Sequence, residues 1–131
     1  MTHSIHRLML AGVTGMLLIA AGSPIALAPA RPGLWEVGRS ATGTDARRTC
    51  VREPIALSQW EHRAERCTRM ILADRGNRTV IDYTCAESGF GRSEMTLVTP
   101  RSIKIATQGI SREGPFAYTI HARRIGNCTP R

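Results

Sequence analysis

The chain has 131 residues, four cysteines and a formal net charge of +8, with 18 Lys and Arg against 10 Asp and Glu. Such a charge is the common mark of a nucleic-acid partner. Here the basic residues are scattered, and Trp, Tyr and Phe number only two each, which leaves little for bases to stack on. The composition speaks against nucleic acid and for a solvated basic surface, with an anionic head group as the remaining class of partner.

The first thirty residues, "MTHSIHRLMLAGVTGMLLIAAGSPIALAPA", carry a short basic start ending in Arg7, an apolar run from Leu8 to Ala21, and then small residues. That order predicts a secretory signal peptide over residues 1–30. The apolar run falls short of the ~20 residues that span a bilayer. Two cleavage motifs present themselves, Ala26-Leu27-Ala28 and Ala28-Pro29-Ala30. The second is preferred because cleavage after Ala28 would put Pro29 first. Residues 31–131 then form one small domain. No cysteine stands near the cleavage point to carry a lipid, and no later stretch is long and apolar enough to span a membrane.

Along that domain, "LWEVGR" (Leu34–Arg39) alternates and is followed by turn material, which predicts a strand; "RRTCVR" (Arg47–Arg52) returns as its partner. Pro54 suits a first helical position, Ile55, Ser58–Gln59 and His62 repeat at helical spacing, and Leu57, Trp60 and Ala64 give a second apolar set at i, i+3, i+7, so a helix is expected over Pro54–Glu65. Five strands follow: Cys67–Ala73, Thr79–Cys85, Arg92–Val98, Ser102–Thr107 and Phe116–Arg123. Their connectors carry Gly76-Asn77, Ser88-Gly89, Thr99-Pro100 and Gly114-Pro115, all turn-formers. Strands so close together pair antiparallel. The expectation is a mainly β or α+β domain: a curved antiparallel meander of about six to seven strands with one helix packed on it.

The segment "CTRMILADRGNRTVIDYTC" reads as a hairpin. A loop centred on Gly76 opposes Cys67 to Cys85, Thr68 to Thr84, Ile71 to Ile81 and Leu72 to Val80. Opposed residues of a non-hydrogen-bonded pair lie ~4.5 Å apart at Cα, within disulfide reach. A two-residue Gly76-Asn77 loop would instead shift the register by one. Pairing Cys67 with Cys85 leaves Cys50 for Cys128. The alternative set, Cys50 with Cys67 and Cys85 with Cys128, stays open. Two disulfides in a small domain indicate an oxidising compartment.

No cofactor or metal is expected. No two cysteines stand at the C-x₂₋₄-C spacing of zinc sites, and C-x-x-C redox spacing is missing too. Of the domain's histidines, His62 lies on the expected helix beside Glu61 and Glu65 and His121 in the last strand; the carboxylates are scattered and the sequence places no pair of them together. No G-x-S-x-G elbow is present, and "SGFGRSE" around Gly89 and Gly91 is too short for a phosphate loop. Asn77-Arg78-Thr79 and Asn127-Cys128-Thr129 match the glycosylation sequon but read as chance matches in a bacterial-looking chain. Trp35 and Trp60 are expected core anchors. No catalytic residue is assigned.

The stretch "RPGLWEV" (Arg31–Val37), with Cys50 before a helix, a hairpin bounded by Cys67 and Cys85, and a closing Arg124-Ile125-Gly126-Asn127-Cys128, resembles a bacterial exported family, the domain-of-unknown-function family numbered 3617. The resemblance covers essentially residues 31–131, departing in the arginine-rich helix region. It implies a periplasmic, disulfide-bonded, β-rich domain and carries no known activity. The expected function is a non-enzymatic binding or envelope-associated module, its partner a small hydrophobic or anionic lipid-like ligand or an envelope protein. The alternatives are an interaction subunit that uses an exposed strand edge and an enzyme in which His62, His121 and a carboxylate converge.

Overall fold

A computed structural model describes residues 22–129; the predicted signal segment as far as Ala21 lies outside the described residues. Seven strands follow one another: β1 (Gly33–Gly38), β2 (Arg47–Val51), β3 (Cys67–Arg75), β4 (Arg78–Cys85), β5 (Gly89–Thr99), β6 (Ser102–Ser111) and β7 (Gly114–Gly126). They form one antiparallel sheet in the order β2-β1-β7-β6-β5-β4-β3. The strands run longer than their sequence signals because Gly89 and Gly114, read as turn-formers, begin paired segments and Gly109 continues β6. The meander from β3 to β7 is as expected. The closing contact is new: β1 pairs with β7, joining the first strand to the last.

The sheet does not close, and β2 and β3 are its two free edges. Its inner face carries alternating apolar side chains: Trp35 and Val37 from β1, Ile81 from β4, Met95 and Leu97 from β5, Ile103 and Ile105 from β6, and Ile120 and Ala122 from β7. Among the described residues no second sheet covers them. A helical segment, Pro54–His62, does so instead and adds Ile55 and Leu57 to the core. Each such fully buried side chain contributes ~1.5–3 kcal/mol. This segment is a 3-10 helix, kinked where Gln59 leaves helical geometry (φ −104°, ψ 37°). The buried Gln59 amide donates instead to the carbonyls of His62 and Glu65, which ends the helix three residues before the expected Glu65.

A second helical turn, Ile25–Leu27, lies on the same inner face; Leu27 and Ala30 belong to the core cluster. Among the described residues no helix is long and apolar enough to cross a membrane.

The β3–β4 hairpin combines both registers considered for it. Cys67 opposes Cys85, Thr68 opposes Thr84 and Ile71 opposes Ile81, but Val80 faces Ala73 rather than Leu72. A bulge at Leu72 absorbs the one-residue shift, so a two-residue Gly76-Asn77 turn coexists with opposed cysteines. Gly76 takes φ +56°, a backbone conformation glycine adopts without a Cβ clash. Cys67 and Cys85 are bridged at a Cα separation of 4.1 Å, and Cys50 is bridged to Cys128 at 5.6 Å.

Candidate functional site

The Pro32–Glu36 signature builds scaffold. Trp35 is fully buried, and its indole N–H donates to the Arg31 carbonyl at 3.2 Å. A Cβ on Gly33 would meet the Gly126 carbonyl oxygen at 2.5 Å and Arg124 Nε at 2.6 Å, so only glycine allows β7 to approach here. Arg124 in turn donates to the Pro32 carbonyl and to Asn127 Oδ1. Glu36 pairs with Arg48 of β2 and Arg123 of β7. The two terminal motifs are therefore halves of one joint, locked by the Cys50–Cys128 bridge.

A second set of glycines makes room for a buried polar cluster. A Cβ on Gly91 would strike the Tyr83 ring at 2.5 Å, one on Gly109 would meet the Phe116 ring at 3.0 Å, and one on Gly89 would lie 1.9 Å from the Ile110 carbonyl oxygen. In the space they leave, His62 Nδ1 lies 3.1 Å from the Tyr83 hydroxyl and Nε2 lies 3.2 Å from the Ser88 carbonyl. The carbonyl can only accept, so in the neutral ring Nε2 carries the hydrogen and Nδ1 accepts from tyrosine. Phe116 sits edge-on against the imidazole. Burial pushes the Tyr83 hydroxyl up to about 12. Tyr118 is raised as well, by burial and by donating to the Glu61 carboxylate at 2.6 Å. "SGFGRSE" thus has a packing reason.

This cluster offers no metal centre. His62, Glu65 and Cys85 come close together, but the Cys85 sulfur is held in the bridge to Cys67 and both imidazole nitrogens are engaged. Nor do the two histidines meet. His62 is buried on the inner face, whereas His121 lies on β7 between the inward-facing Ile120 and Ala122 and therefore points outward, opposite Lys104.

The strongest candidate lies at the open seam. A cavity of about 470 Å³ is lined from three elements: Thr49 to Val51 at the β2 edge, Leu57 and Trp60 on the helix, and Arg69 on the β3 edge. That residues of both edges line one cavity shows how far the sheet curls. Val51 and Leu57 are buried and supply an apolar floor, and the half-buried Trp60 packs on the core while facing the cavity. Arg52, Arg63 and Arg69 stand around it. Arg63 lies over the Trp60 ring, 4.8 Å from its centre, and donates to the Trp60 carbonyl. Arg69 is held by the buried Gln59, donating to Oε1 at 2.8 Å.

The one carboxylate at the cavity is Glu53, 66% exposed and 4.0 Å from Arg69, a separation at which an exposed pair contributes little. Sequence reasoning placed Trp60 in the core and left the arginine-rich helix open. The signals that mark the site are Trp60 and Arg63 three residues apart at the helix end, with Arg52 before the helix and Arg69 on the following strand.

Fold and site define a disulfide-braced, incompletely closed antiparallel sheet whose open side is plugged by a 3-10 helix and rimmed with arginine. Residues 30–128 match the family model described as protein of unknown function DUF3617, and the chain belongs to that family. No curated protein and no solved structure matches it.

Proposed function

We propose that this is an exported, periplasmic, non-enzymatic binding module that takes an anionic amphiphile at the seam. The observation that carries the reading is the convergence of Arg52 just after β2, Arg63 just after the helix and Arg69 on β3 on an apolar cavity with a single exposed carboxylate nearby. Guanidinium groups suit phosphate and carboxylate by geometry as well as charge. A volume near 470 Å³ falls within the ~300–1,000 Å³ of ordinary ligand sites. Export is supported by the apolar leader pattern and by the two bridges, which persist in oxidising compartments.

The test uses Trp60 as reporter, since Trp35 is fully buried and should stay silent. Vesicles containing phosphatidylglycerol should shift the emission, and purely zwitterionic vesicles should not. Native mass spectrometry of protein taken gently from the periplasm should show a copurified anion. An unbound protein that treats both vesicle types alike would remove the reading.

A second reading rests on the free edge of β3, where Met70 is 65% and Leu72 44% exposed. Such an edge can add a strand from a partner protein. The Leu72 bulge and the flanking Arg66 and Arg75 are the usual protections against that. A photo-crosslinker at position 70 that captures no discrete partner in cells would exclude it.

A further inference from the structure

We infer that the processed chain begins before Pro24, and that the bond cut on export is Gly22–Ser23 rather than the bond after Ala28 or Ala30. This rests on the export reading above. Pro24, Ala26, Leu27 and Ala30 are all buried, Leu27 to 3% exposure inside the core cluster, while Gly22 and Ser23 are exposed. The segment is also anchored by charge. The Asp74 carboxylate, on β3, accepts the backbone N–H of Ile25 at 2.6 Å and of Ala26 at 2.9 Å. These are N–H groups at the start of a helical turn, which have no partner within the turn itself.

Cleavage after either Ala28 or Ala30 would remove Leu27 from the core and leave half-buried Asp74 without both donors. A small domain has little stability to lose in that way. The sequence supplies the alternative directly after the apolar run: Ala20 and Gly22 are small residues at the −3 and −1 positions of the Gly22–Ser23 bond. Water adds across that bond, leaving a carboxylate on Gly22 and a free amine on Ser23.

The experiment is the intact mass of the full chain, expressed with its own leader and recovered from the periplasm. A mass for residues 23–131 is expected; one for 22–131 keeps the start before Pro24 but moves the cut to Ala21–Gly22 and overturns the assigned bond. A mass beginning at Pro29 or Arg31 overturns the inference and leaves export intact. Unprocessed protein retained at the membrane overturns both. As an independent readout, Leu27→Ala in the full chain should change the recovered mass and lower Tm by on the order of 10 °C. Recovery of wild-type mass and wild-type Tm from Leu27→Ala would show that Leu27 had been cut away.

Discussion

The two sides of the sheet use arginine in opposite ways. At the β1–β7 joint, Arg48 and Arg123 share the Glu36 carboxylate and Arg124 ties the Pro32 carbonyl to Asn127. At the seam between β2 and β3, Arg63 and Arg69 are held by neutral groups, the Trp60 carbonyl and the Gln59 amide, and Glu53 is the only acid at hand. At the joint two of the three arginines meet a largely buried carboxylate at 3.3 and 3.4 Å; at the seam only Arg69 approaches one, and that carboxylate is exposed and 4.0 Å away. That difference, rather than the overall +8, singles out one place on a generally basic protein.

The comparison can be broken from its closed side first. Replacing Cys50 and Cys128 by serine should cost about 4.5 kcal/mol, read by chemical denaturation, because the bridge closes a loop spanning most of the domain. Trp35→Ala should cost about 4 kcal/mol by the same measurement, against about 2 for Trp60→Ala. Trp60→Ala should nonetheless be the one that abolishes the response to anionic vesicles. Equal losses of stability would erase the distinction between joint and seam.

Alkali probes the buried cluster that lies between them. Both tyrosines of the chain have raised hydroxyls, so the unfolded chain ionises first. Their contribution is whole below pH ~10, the ordinary tyrosine value. For Tyr83 it is lost as pH rises from there toward about 12, amounting to about 2–3 kcal/mol. Phenolate absorbance should therefore appear together with loss of near-UV dichroism, and absorbance rising near pH 10 in a protein still folded would contradict the packing.

Charge changes at the surface should be smaller. Arg52→Glu should leave stability within about 0.5 kcal/mol, since its side chain is exposed, yet weaken anionic-vesicle binding by roughly tenfold. On the outer face, the Arg92–Asp82 pair holds the Asp82 carboxyl below its usual range, but both groups face solvent. Arg92→Ala should cost no more than about 0.5 kcal/mol and lose that effect in high salt, with no change in vesicle binding.

Much of the architecture was legible because it is local. The spacing of Cys67 and Cys85 about Gly76 fixes one register, and alternation along β4 and β5 fixes which face is buried. The Leu72 bulge was not legible, since it reconciles a turn preference with a cysteine pairing that each look sufficient alone. Nor was the β1–β7 joint, which depends on Gly33 tolerating Arg124 across most of the chain. The composition of residues 26–30 fits the end of a leader in the sequence and a tight turn packed on the core in the structure, so sequence alone does not separate the two. The seam escaped because its arginines converge only after the sheet has curled.

The nesting of the two bridges has a consequence for biosynthesis. Under the proposed export Cys50 would emerge first, then Cys67, and an oxidant acting on thiols in order of arrival would join those two wrongly. Hairpin folding protects against this only once Cys85 has followed, for then Cys67 has a nearer and better-oriented partner. Cys50 must still wait for Cys128, the last thiol to appear. The yield of correctly bridged protein should thus depend on a disulfide isomerase, in a way that a consecutively paired chain of the same length would not.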